Sequence, residues 1–310
     1  MTGSVVTVGS FDGMHLGHRA VVDELRRRAR ADGRQAVLVT FEPHPGSVLD
    51  PGAAPPRLTL GPERLELLAE LGLDRAVILR FDRELAAMGA EEFVREVLLA
   101  RYDMRELVLG PDHAFGRGRE GDRKSLAALG RRIGFGVTVV PPVPDGQGSP
   151  ISSTRVRNAL AAGDLTRAAE WLGRPYRITA RVVPGAGRGK GMGVPTINFA
   201  GPLSAKALPP DGVWAARVEW GGGTAGAMLN QGPRPTVGDA TRSLEAHLFG
   251  LSEDLYGRMV RIEWVERMRD IQKFPSLDAL RAQLERDREQ ALAILARGPW
   301  TSTARPTGAR

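Results

Sequence analysis

The sequence of 310 residues contains no cysteine. Disulfide bridges, thiolate nucleophiles and cysteine-ligated zinc or iron–sulfur centres are therefore excluded, and the absence fits a reducing compartment. Apolar runs are short, as at residues 76–79, and fall far below the ~20 residues that a membrane span needs. The first eight residues also lack the basic, apolar and small-residue order of a signal peptide. We therefore expect a soluble, cytoplasmic protein.

Lysine and aromatic residues are also scarce. Only four of the 43 basic residues are lysines, so arginine supplies almost all of the positive charge, which exceeds the 36 acidic residues by seven. The arginines are spread along the chain among acids, and aromatic residues make up 5% of it, whereas nucleic-acid grooves combine a basic stripe with stacking aromatics. We expect no nucleic-acid and no membrane partner. An anionic small-molecule substrate would use the same positive charge.

Length and composition favour two globular domains, since 42% of the residues are apolar and 25% are charged. In the first half, short apolar runs alternate with amphipathic stretches, which predicts an α/β domain with a mainly parallel sheet. In the second half, short alternating segments between Gly- and Pro-rich turns predict an antiparallel β-barrel or sandwich. A break at residues 173–175 places the domain boundary after residue 172, and residues 298–310 are predicted to be a disordered tail.

The apolar periodicity also predicts the individual elements. Strands are predicted at residues 5–8, 36–40, 75–79, 106–109, 136–140, 176–183, 213–220, 225–229, 243–249 and 259–265. Helices are predicted at residues 17–30, 62–71, 90–100, 125–133, 152–172 and 277–295.

The densest chemical signal lies where the first strand gives way to the first helix. It reads Gly9-Ser10-Phe11-Asp12-Gly13-Met14-His15-Leu16-Gly17-His18. Free N–H groups and the positive end of the helix attract anions, and His15 and His18 can donate to a polyphosphate. Gly13 and Gly17 allow the backbone to approach a nucleotide closely. By itself, a His-x-x-His pair is more typical of a Gly-rich turn with two capping histidines.

A second polar string opens the helix after the fifth strand and reads Ile151-Ser152-Ser153-Thr154-Arg155-Val156-Arg157. Hydroxyls and two arginines at a helix start are typical of a phosphate clamp, which would face the first string across the strand ends. An ordinary Ser/Thr helix cap with solvated arginines is the alternative.

The second half carries a basic Gly-rich loop, residues 189–198, that runs into Thr196 and Asn198. In an extended backbone these two side chains point the same way. Hydroxyl and amide oxygens suit magnesium that bridges ATP phosphates. The alternative is a long hairpin without a ligand. Glu245 lies on an alternating strand, and by itself this pattern predicts a solvent-facing residue.

Taken together, these strings resemble the bacterial bifunctional riboflavin kinase/FAD synthetases. Residues 9–18 match the His-x-Gly-His signature of nucleotidyltransferases with a Gly-x-Phe-Asp-Gly lead-in, and residues 193–198 match the Gly-x-Pro-Thr-x-Asn motif of riboflavin kinases. Residues 41–45, 110–116, 151–157, 230–236 and 244–248 also agree, in family order, over residues 4–296. The resemblance implies a Rossmann-like FMN adenylyltransferase domain at residues 1–172. It implies an antiparallel riboflavin-kinase barrel with a C-terminal helix at residues 173–297.

The resemblance further implies two Mg²⁺-dependent reactions with ATP as co-substrate: riboflavin is phosphorylated to FMN, and FMN is adenylylated to FAD with release of pyrophosphate. It assigns the adenylyltransferase ATP site to Gly9, Phe11, Gly13, His15, His18, Ser152, Ser153, Thr154 and Arg157. It assigns the kinase ATP site to Gly189, Lys190, Gly193, Pro195, Thr196 and Asn198, the last two as metal ligands. Flavin contacts are implied for Asp112, Asn230, Glu245 and Arg269, and catalysis for Glu245, His15 and His18.

The sequence departs from the family pattern at three positions. Ser10 stands where Asn is usual, His113 where an aromatic residue is usual, and Lys190 where Arg is usual. Because the first two lie near the adenylyltransfer site, a riboflavin kinase that has lost adenylyltransfer stays an alternative. A nucleotidyltransferase with another phosphorylated acceptor and a non-catalytic flavin- or nucleic-acid-binding regulator are further alternatives. Association into a homo-oligomer also stays open.

Overall fold

A computed structural model describes residues 3–184, 196–201, 203–233, 242–251 and 253–298. The chain forms two compact units. The first contains the residues up to Pro55 together with Arg64–Ser153, and the second contains Pro56–Glu63 together with the residues from Thr154 onward. The domain limits 1–172 and 173–297 stay predictions. Apart from Gly298, the predicted tail lies outside the described residues.

The first unit is built on a five-stranded parallel sheet with the strand order β3-β2-β1-β4-β7. The strands of this unit are β1 (Ser4–Val8), β2 (Gln35–Glu42), β3 (Arg75–Arg80), β4 (Met104–Leu109), the short hairpin β5 (Ala114–Phe115) and β6 (Gly121–Asp122), and β7 (Gly136–Val139). The helices up to residue 133 are α1 (Leu16–Ala31), α2 (Pro45–Leu49), α3 (Gly61–Ala69), α4 (Arg83–Ala87), α5 (Ala90–Phe93), α6 (Ala100–Tyr102) and α7 (Arg123–Ile133), with a π-helical segment Val94–Leu99 between α5 and α6. The predicted α/β class and its parallel sheet are confirmed.

The central strand β1 is buried along its whole length, because a parallel sheet is covered on both faces. Val5 packs with Val21 and Leu25 of α1 on one face. Val6 packs on the other face with Phe93 and the π-helical segment. The order in which successive strands are added reverses at β1, since β2 and β3 lie on one side of it and β4 and β7 on the other. In such sheets, ligands bind beyond the carboxyl ends of the strands at this switch point.

The second unit contains a closed antiparallel barrel of six strands in the order β10-β11-β12-β9-β8-β13. The strands are β8 (Arg177–Val183), β9 (Ile197–Ala200), β10 (Gly212–Trp220), β11 (Gly223–Pro233), β12 (Arg242–Leu248) and β13 (Met259–Arg269). The helices are α8 (Ser153–Ala161), α9 (Leu165–Leu172) and α10 (Leu277–Leu295). Ala291 and Ile294 of α10 pack on Ala215 and Met228 of the barrel, and the Ser276 hydroxyl caps the helix. The closed barrel with a C-terminal helix is confirmed.

Several elements differ from the prediction for local reasons. The helix predicted at residues 152–172 is two helices, because Gly163 turns at φ +77° and Asp164 caps a new helix by accepting from the Arg167 N–H. Strand β9 and the β5–β6 hairpin are too short to show an alternation of apolar and polar residues in the sequence. Among the described residues, no helix has the length and apolarity needed to cross a bilayer.

Residues 56–63 lie within the first half of the sequence but belong to the second unit. The buried carboxylate of Glu63 accepts from the Thr179 N–H at 3.0 Å and from Lys206 Nζ at 2.5 Å. Lys206 Nζ also donates to the Leu58 carbonyl at 2.7 Å. A buried ion pair offsets its desolvation cost only when further hydrogen bonds satisfy both partners, as they do here. This segment is therefore an integral part of the second unit.

Candidate functional sites

The first candidate site is the loop between β1 and α1, which runs through the left-handed region of the backbone. Phe11 has φ +46°, Gly13 has φ +83° and Met14 has φ +43°. A left-handed conformation costs a non-glycine residue roughly 1–2 kcal/mol. The apolar side chains of Phe11 and Met14 are buried and offset this cost by packing in one cluster, with Val22, Leu38, Leu67, Leu68 and Leu71.

The loop brings His15 and His18 together at the N-terminus of α1. His15 is the N-cap, and its Nδ1 accepts the His18 backbone N–H at 3.4 Å. The two rings stack with their centroids 3.7 Å apart. Because Nδ1 of His15 is the acceptor, the neutral ring carries its proton on Nε2, which is then a hydrogen-bond donor.

The histidines of this site are held in the neutral form. Burial, and next the neighbouring His15, keep the pKa of His18 well below its ordinary value. Burial and the Arg119 charge lower the pKa of His113, which follows β4, to about 4. Among the described residues, nothing hydrogen-bonds to the buried His18 Nδ1 or the buried His113 Nε2. The site therefore presents neutral imidazoles at physiological pH.

The start of α8 lies against this loop. Ser153 Oγ donates to the Asp12 carbonyl at 2.9 Å. A Cβ at Gly17 would lie 3.1 Å from the His15 ring, which it would crowd, and in ordinary contact with the Ile151 carbonyl at 3.5 Å. Within the first unit, Ser153 therefore contacts the loop at Asp12, and the phosphate clamp stays a prediction. Ser152, its half-buried neighbour, directly precedes α8.

Other residues predicted for this site have different surroundings. Thr154 is exposed on α8, and Arg157 Nε donates to the Pro56 carbonyl at 2.8 Å. Gly9 donates its N–H to the Val39 carbonyl at 3.0 Å. The side chain of Asp112 is exposed, and its backbone carbonyl accepts from Arg119 Nη2 at 3.3 Å.

The second candidate site is a row of polar residues across three strands of the barrel. Asn198 of β9 is the direct partner of Glu245 on β12, and Glu245 is the direct partner of Asn230 on β11. Directly opposed residues in an antiparallel pair place their side chains on one face with Cβ atoms about 5 Å apart. Asn198 is buried, Glu245 is half-buried and Asn230 is exposed, so the row leads from the protein interior to solvent.

Arg269 lies in the same row, because it pairs with Val213, the partner of Asn230. Its guanidinium makes a bidentate ion pair with Asp287 of α10, with Nε–Oδ1 at 2.9 Å and Nη2–Oδ2 at 2.6 Å. The Asp287 side chain is only 1% exposed and also accepts from Gln283 at 2.8 Å. Arg269 therefore joins α10 to the barrel at the end of the polar row.

Four predicted residues of the kinase ATP site, Gly189, Lys190, Gly193 and Pro195, lie outside the described residues. Thr196 is half-buried immediately before β9. Within the described part of the chain, no three His, Asp or Glu residues form a metal-binding group. The Asn198 amide lies opposite the Glu245 carboxylate, and amide and carboxylate oxygens are ligands of the kind that Mg²⁺ accepts.

Two residues that organise these sites carry no signal in the sequence pattern. Arg64, on α3, is buried although its position reads as one charged residue among several on an amphipathic helix. Asp287 is likewise a buried acid in a helix with many charges. Only the contacts of these side chains across the fold distinguish them from solvated neighbours.

Comparison with known proteins identifies one family for each half of the chain. The family model for FAD synthetase matches residues 1–155, and that for riboflavin kinase matches residues 172–295. The bifunctional riboflavin kinase/FMN adenylyltransferase of Escherichia coli (strain K12) is 40% identical over 286 residues, which cover 92% of this chain and 90% of that protein. The protein of the same name from Bacillus subtilis (strain 168) is 31% identical over 294 residues, 93% of this chain and 92% of that protein. A crystal structure described as a macrolide-efflux protein from Streptococcus pneumoniae superposes with a TM-score of 0.82 at 32% identity and covers 94% of both chains.

The lowered pKa of His113 predicts a pH dependence of stability. An unfolded histidine titrates near pH 6.5, whereas His113 in the folded protein titrates at about 4. Between these values the unfolded chain binds more protons, so the free energy of unfolding falls as the pH is lowered. We expect His113 to contribute a loss of about 2 kcal/mol between pH 7.0 and 4.5.

The variant His113→Phe removes this titration while keeping an aromatic ring beside Phe115. Its unfolding free energy, measured by urea denaturation and circular dichroism, should fall about 2 kcal/mol less than that of the wild type over the same pH interval. An identical fall in both proteins would contradict a buried neutral His113.

Proposed function

Because the chain belongs to the family of bifunctional riboflavin kinases/FMN adenylyltransferases, we propose that it carries out the two reactions at two separate sites. Riboflavin is phosphorylated by ATP to FMN, and FMN is adenylylated by a second ATP to FAD. The proposal of two separate sites rests on where the two sets of candidate residues lie in the fold. The histidine loop lies in the first unit, and the Asn198–Glu245–Asn230 row lies in the second.

In the kinase reaction, Glu245 is the general base. The terminal hydroxyl oxygen of riboflavin attacks the γ-phosphorus of ATP, its proton passes to the Glu245 carboxylate, and ADP leaves. The half-buried position of Glu245, next to the solvent-facing Asn230, supports this assignment because a bound substrate can reach it. Asn230 and Arg269 are proposed to contact the flavin from the same row. Residues 189–195 are proposed to complete the ATP site.

Glu245→Gln is expected to abolish FMN formation from riboflavin, because an amide cannot accept the proton. The variant should still convert supplied FMN into FAD at the wild-type rate. Chromatographic separation of flavins after incubation with ATP and Mg²⁺ measures both reactions. The matched control is Glu219→Gln, an exposed barrel glutamate paired with Arg261 at 3.0 Å, which should keep both activities. Loss of both activities in Glu245→Gln would contradict separate sites.

Thr196 and Asn198 are proposed to hold the Mg²⁺ of the kinase reaction. Their neutral oxygens suit a hard cation, and when bound it neutralises charge on the ATP phosphates. The buried Asn198 side chain is fixed by its strand position opposite Glu245. The chain itself supplies the orientation of the metal-binding amide and the base that faces it.

Asn198→Ala is expected to raise the Mg²⁺ concentration needed for half-maximal FMN formation by at least tenfold, because an inner ligand is lost. The Mg²⁺ dependence of FAD formation from FMN should stay as in the wild type and serves as the internal control. An unchanged Mg²⁺ midpoint in the kinase assay, with a lower maximal rate alone, would exclude Asn198 as a ligand.

In the adenylyltransferase reaction, a phosphate oxygen of FMN attacks the α-phosphorus of ATP and pyrophosphate leaves, without a covalent enzyme intermediate. The Nε2–H of His15, the neutral His18 ring and the free N–H groups of α1 stabilise the charge that develops on the phosphates. Ser152, Ser153, Thr154 and Arg157 are proposed to orient ATP, together with the backbone at Gly9, Phe11 and Gly13, and Asp112 to contact FMN. The contact of Ser153 with the Asp12 carbonyl supports this assignment.

His18→Ala should stop the pathway at FMN, since a donor to the phosphates is lost. FAD formation from FMN should fall at least 100-fold, while FMN formation from riboflavin should be unchanged. His247→Ala, on the barrel, is a matched control that should leave FAD formation from FMN intact. Normal FAD output from His18→Ala would remove His18 from the site.

Two of the three departures from the family pattern, those near the proposed adenylyltransferase site, fit the main proposal. His113 packs edge-to-face on Phe115 with the ring centroids 5.6 Å apart, as an aromatic residue would. Ser10 contributes its backbone carbonyl to the fold of the loop rather than a required side chain. An active adenylyltransferase is therefore proposed in preference to a monofunctional kinase. Because both reactions consume ATP, we place the enzyme in the cytoplasm.

A further inference from the structure

Arg64 is a buried arginine whose side chain is only 5% exposed. Its Nη1 donates to the Phe41 carbonyl at 2.7 Å and to Glu42 Oε2 at 2.9 Å. Its Nη2 donates to the Ser10 carbonyl at 3.0 Å and to the Thr40 hydroxyl. Arginine is rarely buried unless it is paired, and here one guanidinium serves four acceptors.

The four acceptors come from two neighbouring strand ends. Ser10 lies in the loop that follows β1, and Thr40, Phe41 and Glu42 form the carboxyl end of β2. Thr40 Oγ1 donates in turn to the Ser10 carbonyl at 3.3 Å. The guanidinium therefore cross-links the ends of β1 and β2 at the edge where the phosphate site is proposed.

The same helix also supplies apolar support to the loop. Leu67 and Leu68 of α3 pack in one cluster with Phe11 and Met14, the two non-glycine residues held at positive φ. From Met14 the chain continues directly to His15, the N-cap of α1. Polar contacts at Ser10 and apolar contacts at Phe11 and Met14 thus fix the backbone on which His15 and His18 stand.

We propose that Arg64 is a positioning residue for adenylyl transfer. It acts through the Ser10 carbonyl, which it holds against β2, and so sets where the two imidazoles meet the phosphates of ATP. This inference rests on the proposed assignment of His15 and His18 to that reaction. Because displacement of a catalytic group by about 1 Å can cost 100-fold in rate, loss of Arg64 should lower kcat more than it weakens ATP binding.

The contact geometry requires arginine rather than any cation. The planar guanidinium offers five donors in a fixed fork, whereas a lysine ammonium offers three donors from one point. Lysine at this position keeps the charge but cannot reach the Ser10 and Phe41 carbonyls, Glu42 and Thr40 together. If Arg64 acts by positioning, Arg64→Lys should retain little more activity than Arg64→Met. If Arg64 acts through its charge alone, Arg64→Lys should retain most of the wild-type activity.

The experiment compares Arg64→Lys, Arg64→Met and Thr40→Val with the control Arg28→Met in the full-length protein. Arg28 lies in the same unit and pairs with the buried Glu106 at 2.5 Å, so its loss perturbs the first unit away from the loop. We expect Arg64→Met and Arg64→Lys to lower kcat for FAD formation from FMN 10- to 100-fold, with KM for ATP changed less than threefold. Thr40→Val should lower kcat to a smaller extent, and Arg28→Met should leave it within threefold.

The kinase reaction and tryptophan fluorescence control for the second unit alone, because all five tryptophans follow residue 153. Thermal unfolding followed by far-UV circular dichroism is the folding control for the first unit, which contains the substituted residues. FMN formation should be unchanged in every variant. Millimolar guanidinium should partly restore kcat in Arg64→Met, and equal concentrations of urea should not.

Three results would overturn the inference: an equal loss of kcat in Arg64→Met and Arg28→Met, full activity in Arg64→Lys, or a raised KM for ATP with unchanged kcat. His18→Ala is assayed in parallel. If that variant makes FAD normally, the site assignment itself fails, whereas normal FAD formation by Arg64→Met beside an inactive His18→Ala refutes only the function of Arg64.

Discussion

The proposed adenylyltransferase site depends on a backbone path that is unfavourable in isolation. Between β1 and α1 the chain passes through positive φ at Phe11, Gly13 and Met14, and only in this path does His15 cap the helix that carries His18. Local propensity does not favour the path, because two of the three residues have bulky side chains. Tertiary contacts hold it instead: an apolar cluster beneath the loop and the Arg64 guanidinium at its beginning.

The two candidate sites differ in the charge that they favour. The first gathers neutral donors at a helix N-terminus, where burial prevents the histidines from charging, so that anionic phosphates meet aligned dipoles. In the second site, strand register places oxygen atoms in a row. Such oxygen atoms suit the binding of a cation and the acceptance of a proton. Register fixes the second site, and packing around a left-handed loop fixes the first. Each unit therefore presents groups that fit the reaction proposed for it.

Sequence patterns were sufficient for the parallel sheet, the barrel strands with strong alternation and the amphipathic α10, because each has a long apolar period. They were insufficient for β9, which has four residues, and for the break between α8 and α9, which depends on one glycine at positive φ. The proximity of His15 and His18 followed from their spacing. The burial of Arg64 and Asp287, and the membership of residues 56–63 in the second unit, depend on long-range contacts that no local pattern encodes.

The central claim is that the two reactions take place at two separate sites of one chain. Its most direct test mixes two purified variants, Glu245→Gln and His18→Ala, with riboflavin, ATP and Mg²⁺, and separates the flavins by chromatography. We expect neither variant alone to make FAD from riboflavin and the mixture to make it, because FMN released by one is adenylylated by the other. Accumulation of FMN without FAD in the mixture would contradict this account.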